Sequence, residues 1–231
     1  GDEKAMCISY VPAITHYRYK DKREEVKKCC DEMRSQSRKS NYLQYYYYAY
    51  QQEVYSLVES KHYAEGILLA KKANQEAWAE KYAFGIYCTH SLLCSIYAQK
   101  KQYKAAIEEI EKGLQYATQI PDQDPAMGYS VYANVLMDAK RYDDALNALN
   151  KALDIVVTDQ QKSTLMSMKL EVLGRLNRMD EMRSYLDECE KQFKIFNLNV
   201  NKIKHYKVLQ HIATGNYDEA LKAARSEEMK D

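Results

Sequence analysis

The sequence predicts an all-α protein, a right-handed α-solenoid of about six helical hairpins, and three observations carry that expectation. A short phrase returns through the whole chain at a near-constant interval. Small and apolar residues flank each copy at helical spacing. The composition favours helix throughout, with only 7 Gly and 3 Pro among 231 residues to interrupt it.

The clearest copy of the phrase is Gly215-Asn216-Tyr217-Asp218-Glu219-Ala220-Leu221. It recurs as Lys140-Arg141-Tyr142-Asp143-Asp144-Ala145-Leu146 and as Lys101-Gln102-Tyr103-Lys104-Ala105-Ala106-Ile107, with weaker copies around Tyr63, Met179 and Arg23. The central slot of the six copies falls at Arg23, Tyr63, Tyr103, Tyr142, Met179 and Tyr217, at intervals of 40, 40, 39, 37 and 38 residues. Units of about 7–39, 40–79, 80–120, 124–158, 159–197 and 199–231 then account for the chain as one superhelical domain, 1–231.

Each copy sits between two helical stretches. Six positions before the central slot stand Tyr17, Leu57, Tyr97, Leu136 and Leu173, with His211 breaking the apolar series. Three and seven positions after it stand Val26/Cys30, Gly66/Ala70, Ala106/Ile110, Ala145/Leu149, Met182/Leu186 and Ala220/Ala224. A step of three and then four keeps one helix face toward a partner, and the small residue allows a close crossing. Asp124-Pro125 reads as an N-cap followed by proline at the first helical position, and Pro121 as the end of the preceding helix. Asp159 and Asn201 read as caps for the fifth and sixth units, and Ser40 or Asn41 for the second. The β-branched run Ile155-Val156-Val157-Thr158 closes a helical stretch.

These residues resemble the tetratricopeptide repeat family. The family pattern of a large apolar residue, a small residue and Tyr in helix A, then Ala and apolar residues in helix B, is met by Leu93, Cys94, Tyr97, Ala106, Ile110 and Gly113 in the third unit. Tyr132, Ala133, Leu136, Ala145, Leu149 and Ala152 meet it in the fourth. The fifth departs from it, with Met182 at the small alanine slot and Lys169 where Leu is usual. The period exceeds the family's standard of about 34 residues, which predicts longer helices and longer turns between repeats. Such units look like the elongated repeats in sensor regions of bacterial signalling proteins. The same register places Cys94 at a small slot, Cys30 at a core slot and Cys189 at the closing alanine slot.

Several function classes find no support. The net charge of +1 gives no electrostatic basis for nucleic acid as partner, and the basic stretch from Arg18 to Lys39 reads as a solvated helix face. No apolar segment approaches the roughly 20 residues that span a membrane, so no direct membrane insertion is expected. Six cysteines without a C-x-x-C pair, and five histidines without H-E-x-x-H, predict neither disulfides nor a metal site. No phosphate-binding loop or nucleophile motif occurs, so neither a cofactor nor catalysis is expected. Acid pairs such as Glu108-Glu109 and Asp143-Asp144 read as solvated faces, and His16, His62, His90, His205 and His211 as surface or core filler. The competing reading is an enzyme whose site is assembled across repeats.

Tyrosine is the compositional oddity, at 22 residues, with Tyr45 to Tyr48 in a run. Four consecutive helical residues sweep about 300°, so they cannot all face one core. Packing between helices accounts for some of them, and a ligand-facing aromatic patch is the alternative for the others.

The resemblance implies a protein- or peptide-binding function, with helix A side chains lining a concave groove at slots twelve and eight residues before each central position. Carried onto this sequence, those slots give Gln51 and Tyr55, Ser91 and Ser95, Ser130 and Asn134, Ser167 and Glu171, and finally His205, with Tyr48 as a second aromatic anchor. Small polar side chains there could bond the backbone of an extended peptide, and the tyrosines could supply apolar contact. The plain alternative is that these residues merely solvate an empty groove. The lysine of the family's carboxylate clamp is missing, because Ser130 stands one turn before Asn134. The opening Gly1-Asp2 and the uncapped last unit predict chain on both sides of this segment. The resemblance then implies the sensor region of a membrane-anchored signalling protein with a downstream signalling domain, extracytoplasmic in location. A cytoplasmic adaptor or peptide-responsive regulator is the alternative, and six unpaired cysteines suit that compartment.

Overall fold

The computed structural model describes residues 3–117, 119–120, 126–196 and 201–228. Among them are twelve α-helices and no strand. The chain divides into two compact units, Gly1–Pro121 and Asp122–Asp231. The first holds α1 (Glu3–Tyr19), α2 (Arg23–Lys39), α3 (Leu43–Glu59), α4 (Tyr63–Glu80), α5 (Ala83–Gln99) and α6 (Tyr103–Ala117). The second holds α7 (Ala126–Asp138), α8 (Tyr142–Ile155), α9 (Asp159–Arg175), α10 (Met179–Phe196), α11 (Asn201–Ala213) and α12 (Tyr217–Glu228). Odd helices are the A helices of six hairpins and even ones the B helices.

One turn, used six times, explains the recurring phrase. Two residues before each central slot the backbone enters the left-handed region, at Asp21, Lys61, Lys101, Lys140, Asn177 and Gly215, with φ between 52° and 74°. In the third hairpin the Lys101 N–H donates to Ala98 O at 2.8 Å and the Gln102 N–H to Tyr97 O at 2.8 Å. That pair of bonds satisfies the last carbonyls of helix A in a Schellman turn. The other five hairpins repeat it, including Asn216 N–H to His211 O at 2.8 Å. The residue six before the central slot is therefore fixed by its carbonyl as well as its side chain, which is how His211 holds the place without being apolar.

The long period comes from long helices. α1 to α6 run 15 to 18 residues. The expected longer turns between repeats are absent at the first two junctions, where Asn41 (φ 58°) and Lys81 (φ 52°) make the same tight turn as within hairpins. This also corrects the expected cap of the second unit. Ser40 is the C-cap of α2 and Asn41 the left-handed residue, so Tyr42 precedes α3 with no side-chain cap bond. The fifth unit is capped one residue earlier than expected: Thr158 is extended and accepts from the Gln161 N–H at 3.4 Å, and Asp159 is already helical. Asn201 is the first residue of α11, while the expected cap at Asp124-Pro125 and stop at Pro121 lie outside the described residues.

Eleven of the twelve residues three and seven positions after the central slots are buried, and Ala224 is half-buried. Cys30, Cys94 and Cys189 are fully buried as the register requires, and all six thiols are free. Burial pushes the Cys30, Cys88, Cys94 and Cys189 thiols up to about 12. At Lys169 and Met182, where the pattern fails, the structure compensates. The Lys169 ammonium lies 4.3 Å from the Tyr185 ring centre, and Met182 is buried with its sulfur 3.8 Å from where a Cβ on Gly174 would stand.

The tyrosine run divides between two cores. Tyr46, Tyr47 and Tyr50 are buried with Ala73, Ala77 and Ile86, while Tyr45 and Tyr48 pack on the α1–α2 side against Ile14, Cys30 and Met33. The buried phenols are satisfied from α4: Tyr46 donates to Glu76 at 2.6 Å, Tyr50 to Glu76 at 3.1 Å and Tyr47 to Glu80 at 2.8 Å. From α2, Arg38 stacks over Tyr46 at 3.9 Å and Arg34 over Tyr50 at 4.5 Å. Arg38 pairs with Glu80, and Arg34 with the nearly buried Glu53 at 2.7 Å. Gly85 makes room for this layer, since a Cβ there would lie 2.8 Å from the Tyr47 ring.

Within each unit the A helices of successive hairpins touch, α1 with α3 with α5, and α7 with α9 with α11. Among the described residues the backbones of α2, α4 and α6 do not approach one another, nor do those of α8, α10 and α12, and α2 meets α4 through long side chains such as the Arg38–Glu80 pair. Each unit therefore fans open on its B side, and the A helices form its inner face.

Candidate functional site

In the first unit the inner face is built by α1, α3 and α5. Tyr48, Gln51 and Tyr55 lie half-buried along α3, with the Gln51 amide donating to the Tyr55 hydroxyl at 3.0 Å. Four-residue spacing within one helix makes that bond, and it fixes the phenol's direction. Arg18 of α1 covers the other side, 5.4 Å above the Tyr55 ring. Its guanidinium donates to Gln52 at 2.5 Å and pairs with Glu59, so this cation arrives already balanced. Burial raises the Tyr48 and Tyr55 phenols, with Arg18 opposing in both cases. Across on α5, Tyr87 is buried, within electrostatic reach of Tyr55, and Ser91 and Ser95 are half-buried. The result is a strip of phenols, an amide and hydroxyls with no unbalanced charge among these residues.

In the second unit the predicted residues do not form one strip. The Ser130 hydroxyl donates to Met127 O at 2.7 Å and that of Ser167 to Ser163 O at 3.0 Å, each within its own helix. Both serines are buried, and Asn134 is exposed. Glu171 and His205, by contrast, both line a cavity of about 510 Å³ between α9, α10 and α11. Its walls include Leu170, Met182, Leu209 and Ile212, and Arg175 stands beside Glu171 at 3.5 Å. Apolar walls with a few polar groups among them are what a ligand's side chain needs, and the volume is in the usual range for ligand pockets.

A third cluster lies where α4, α5 and α6 meet. His90, expected to be filler, is buried with Nδ1 at 2.7 Å from Glu109 and Nε2 at 3.4 Å from the Trp78 indole nitrogen. The hydrogen bond from His90, helped by Lys112 at 3.0 Å, holds the Glu109 carboxyl below the usual carboxylate range against its own burial. Sequence reasoning missed this cluster, Arg18 and the cavity. The available signals were a histidine at a slot taken by Tyr50 and Tyr129 in neighbouring units, and Arg18 at a slot taken by Val58 and Ala98.

Among the described residues no three His, Cys, Asp or Glu side chains are grouped to hold a metal ion, and no helix is long and apolar enough to cross a membrane.

Residues 91–119 match the family model of the tetratricopeptide repeat. No curated protein matches the chain in sequence. Solved structures resemble it in fold. The TPR-like repeats of a putative kinesin light chain from Podosopora anserina align with a TM-score of 0.60 at 9% identity, covering 83% of this chain and 97% of that one. PlcR of Bacillus thuringiensis, in complex with the peptide PapR7 and DNA, aligns with a TM-score of 0.58 at 17% identity over 91% of this chain and 75% of that one. The apo form of RapI gives 0.52 at 14% identity, over 99% and 86%. At these identities the likeness is one of fold: an all-α TPR-like repeat architecture, a scaffold generally used for protein interaction rather than catalysis.

Proposed function

We propose that this chain of TPR-like hairpins, carrying a tetratricopeptide repeat at residues 91–119, is a non-catalytic module that binds an extended peptide or a peptide segment of a protein. The observation that carries the proposal is the charge-balanced strip of Tyr48, Gln51, Tyr55, Ser91 and Ser95 on the inner face of the first unit. Amide and hydroxyl groups beside half-buried phenols suit a peptide backbone and its apolar side chains, and offer no unpaired cation to an acidic tail. On the second unit, taken by itself, the cavity beside Glu171 and His205 would take an apolar side chain of a bound peptide. The peptide-bound state of the similarly folded PlcR supports this reading.

The finer placement is the sensing region of a membrane-anchored signalling protein, with all six hairpins acting as one domain. The second reading, a peptide-responsive cytoplasmic regulator, is favoured by the likeness to PlcR. The surrounding gene sequence separates them, since an apolar stretch of about 20 residues adjoining this segment belongs to the first alone.

The binding test uses peptides selected on the wild-type chain from a random library. Tyr55→Ala and Glu171→Ala are expected to weaken binding about tenfold each, or ~1.4 kcal/mol, and Asn134→Ala less. Lys104→Ala and Lys151→Ala on B helices serve as controls. Unchanged affinity in all three inner-face variants, with loss in the controls, refutes the assignment.

A further inference from the structure

We infer that His90 is a proton-operated latch on Trp78. His90 is 3% exposed and both its ring nitrogens are engaged. An indole N–H can only donate, so Nε2, 3.4 Å from Trp78 Nε1, is the accepting nitrogen. Nδ1 therefore carries the single hydrogen and gives it to Glu109 Oε2 at 2.7 Å. The neighbours thus select one neutral tautomer.

A second proton can enter only at Nε2. It would set one N–H against another, and a long, weak attraction would become a repulsion. Glu109 would remain opposite Nδ1 and balance the new charge, so the cost falls on the indole. Gly113 of α6 lets His90 sit close against that helix, since a Cβ on Gly113 would lie 3.1 Å from His90 Cβ, and the ring is itself buried. Trp78 is 44% exposed and rests edge-on against Tyr116 at 5.2 Å between ring centres, so it is the partner able to move.

The surroundings contain few other charges. α6 contributes Glu109, with Lys112 on its second oxygen at 3.0 Å, and Tyr116 behind the indole. α4 contributes the uncharged Trp78 and Asn74, the latter held by Thr89 at 2.9 Å. On α5 itself Cys94 lies within electrostatic reach of Glu109, and Tyr87 lies across from Gly113. Acidification would therefore act mainly at one contact, swinging a large aromatic outward from the second hairpin and loosening α4 from α5.

The chain has a single tryptophan, so emission and the indole N–H resonance report on the latch directly. Acidifying the full chain is expected to shift the emission maximum to the red and to move the indole resonance in step with the His90 ring. His90→Gln can donate an amide N–H to Glu109 and accept from the indole, but cannot take up a proton. It should keep the neutral-pH emission and lose the shift. The inference is overturned by an equal shift in His90→Gln, by a His90 ring that titrates while the indole resonance stays fixed, or by no titration of His90 before the chain unfolds. The resonance comparison is made within the wild-type chain and holds if the variant fails to fold.

Discussion

Lys101 stands at φ 57° in the turn between α5 and α6, and its replacement by glycine isolates the strain in that turn. The left-handed conformation costs an L-residue about 1–2 kcal/mol. Glycine avoids that cost but gives the unfolded chain more freedom, which offsets about 0.5–1 kcal/mol. The difference predicts that Lys101→Gly stabilises the chain by about 0.5–1 kcal/mol. Lys101→Ala removes the charge and keeps the strain, so it should stay within about 0.5 kcal/mol of wild type. Gly215 supplies the reverse experiment: it sits at φ 74°, and a Cβ there would meet nothing within 4 Å. Gly215→Ala should therefore cost about 1 kcal/mol through the backbone alone. Urea unfolding followed by circular dichroism gives the midpoints. Equal midpoints for Lys101→Gly and Lys101→Ala would refute the reasoning, as would a neutral Gly215→Ala.

Gly85→Ala should destabilise the first unit by about 1–3 kcal/mol by overpacking against the buried Tyr47 ring, seen as a lower urea midpoint. Arg34→Ala should cost about 3–5 kcal/mol because it strands the nearly buried Glu53, whereas Arg34→Met with Glu53→Leu should recover most of that loss. Glu109 has its folded pKa below its unfolded one, so its contribution is present above the ordinary carboxylate range and is lost as pH falls through the folded value. The gap in urea midpoint between wild type and Glu109→Gln should accordingly narrow once the pH falls below the ordinary carboxylate range. Thiol titration of the native chain near pH 7.5 should label Cys29, the half-buried one, well before the buried five, and denaturation should expose all six. Fast native labelling of Cys88 or Cys94 would contradict the packing.

The helices and their buried faces were legible because backbone and side chains repeat together. Ala106, Ala145 and Ala220 fall at the same crossing in the third, fourth and sixth hairpins, and one-face spacing reveals such positions. The caps were less legible. Ser40 and Asn41 have the chemistry of an N-cap, but a three-residue turn spends both on closing the helix before. Thr158 outcompeted Asp159 because the extended β-branched run before it placed the break one residue earlier. The strip from Tyr48 to Ser95 could be named from the register. Its charge balance could not, because Arg18 and Glu59 are 41 residues apart and meet only when α1 packs on α3. The cavity was hidden for a similar reason, since it depends on how far α11 stands from α9.

In the first unit the helices from α2 to α6 begin at residues 23, 43, 63, 83 and 103. The backbone therefore keeps a beat of 20 residues while the side chains keep one of 40. The two rhythms answer differently to a change of length. Removing or inserting 40 residues returns every side chain to its own kind of helix. A change of 20 leaves each turn intact yet exchanges the roles of the two helices, so that Tyr55 and Ser95 would face outward and the solvated lysines and glutamates of α4 and α6 would face in. Such a chain could form every turn and still have no interior. Length in this architecture can thus change only two helices at a time.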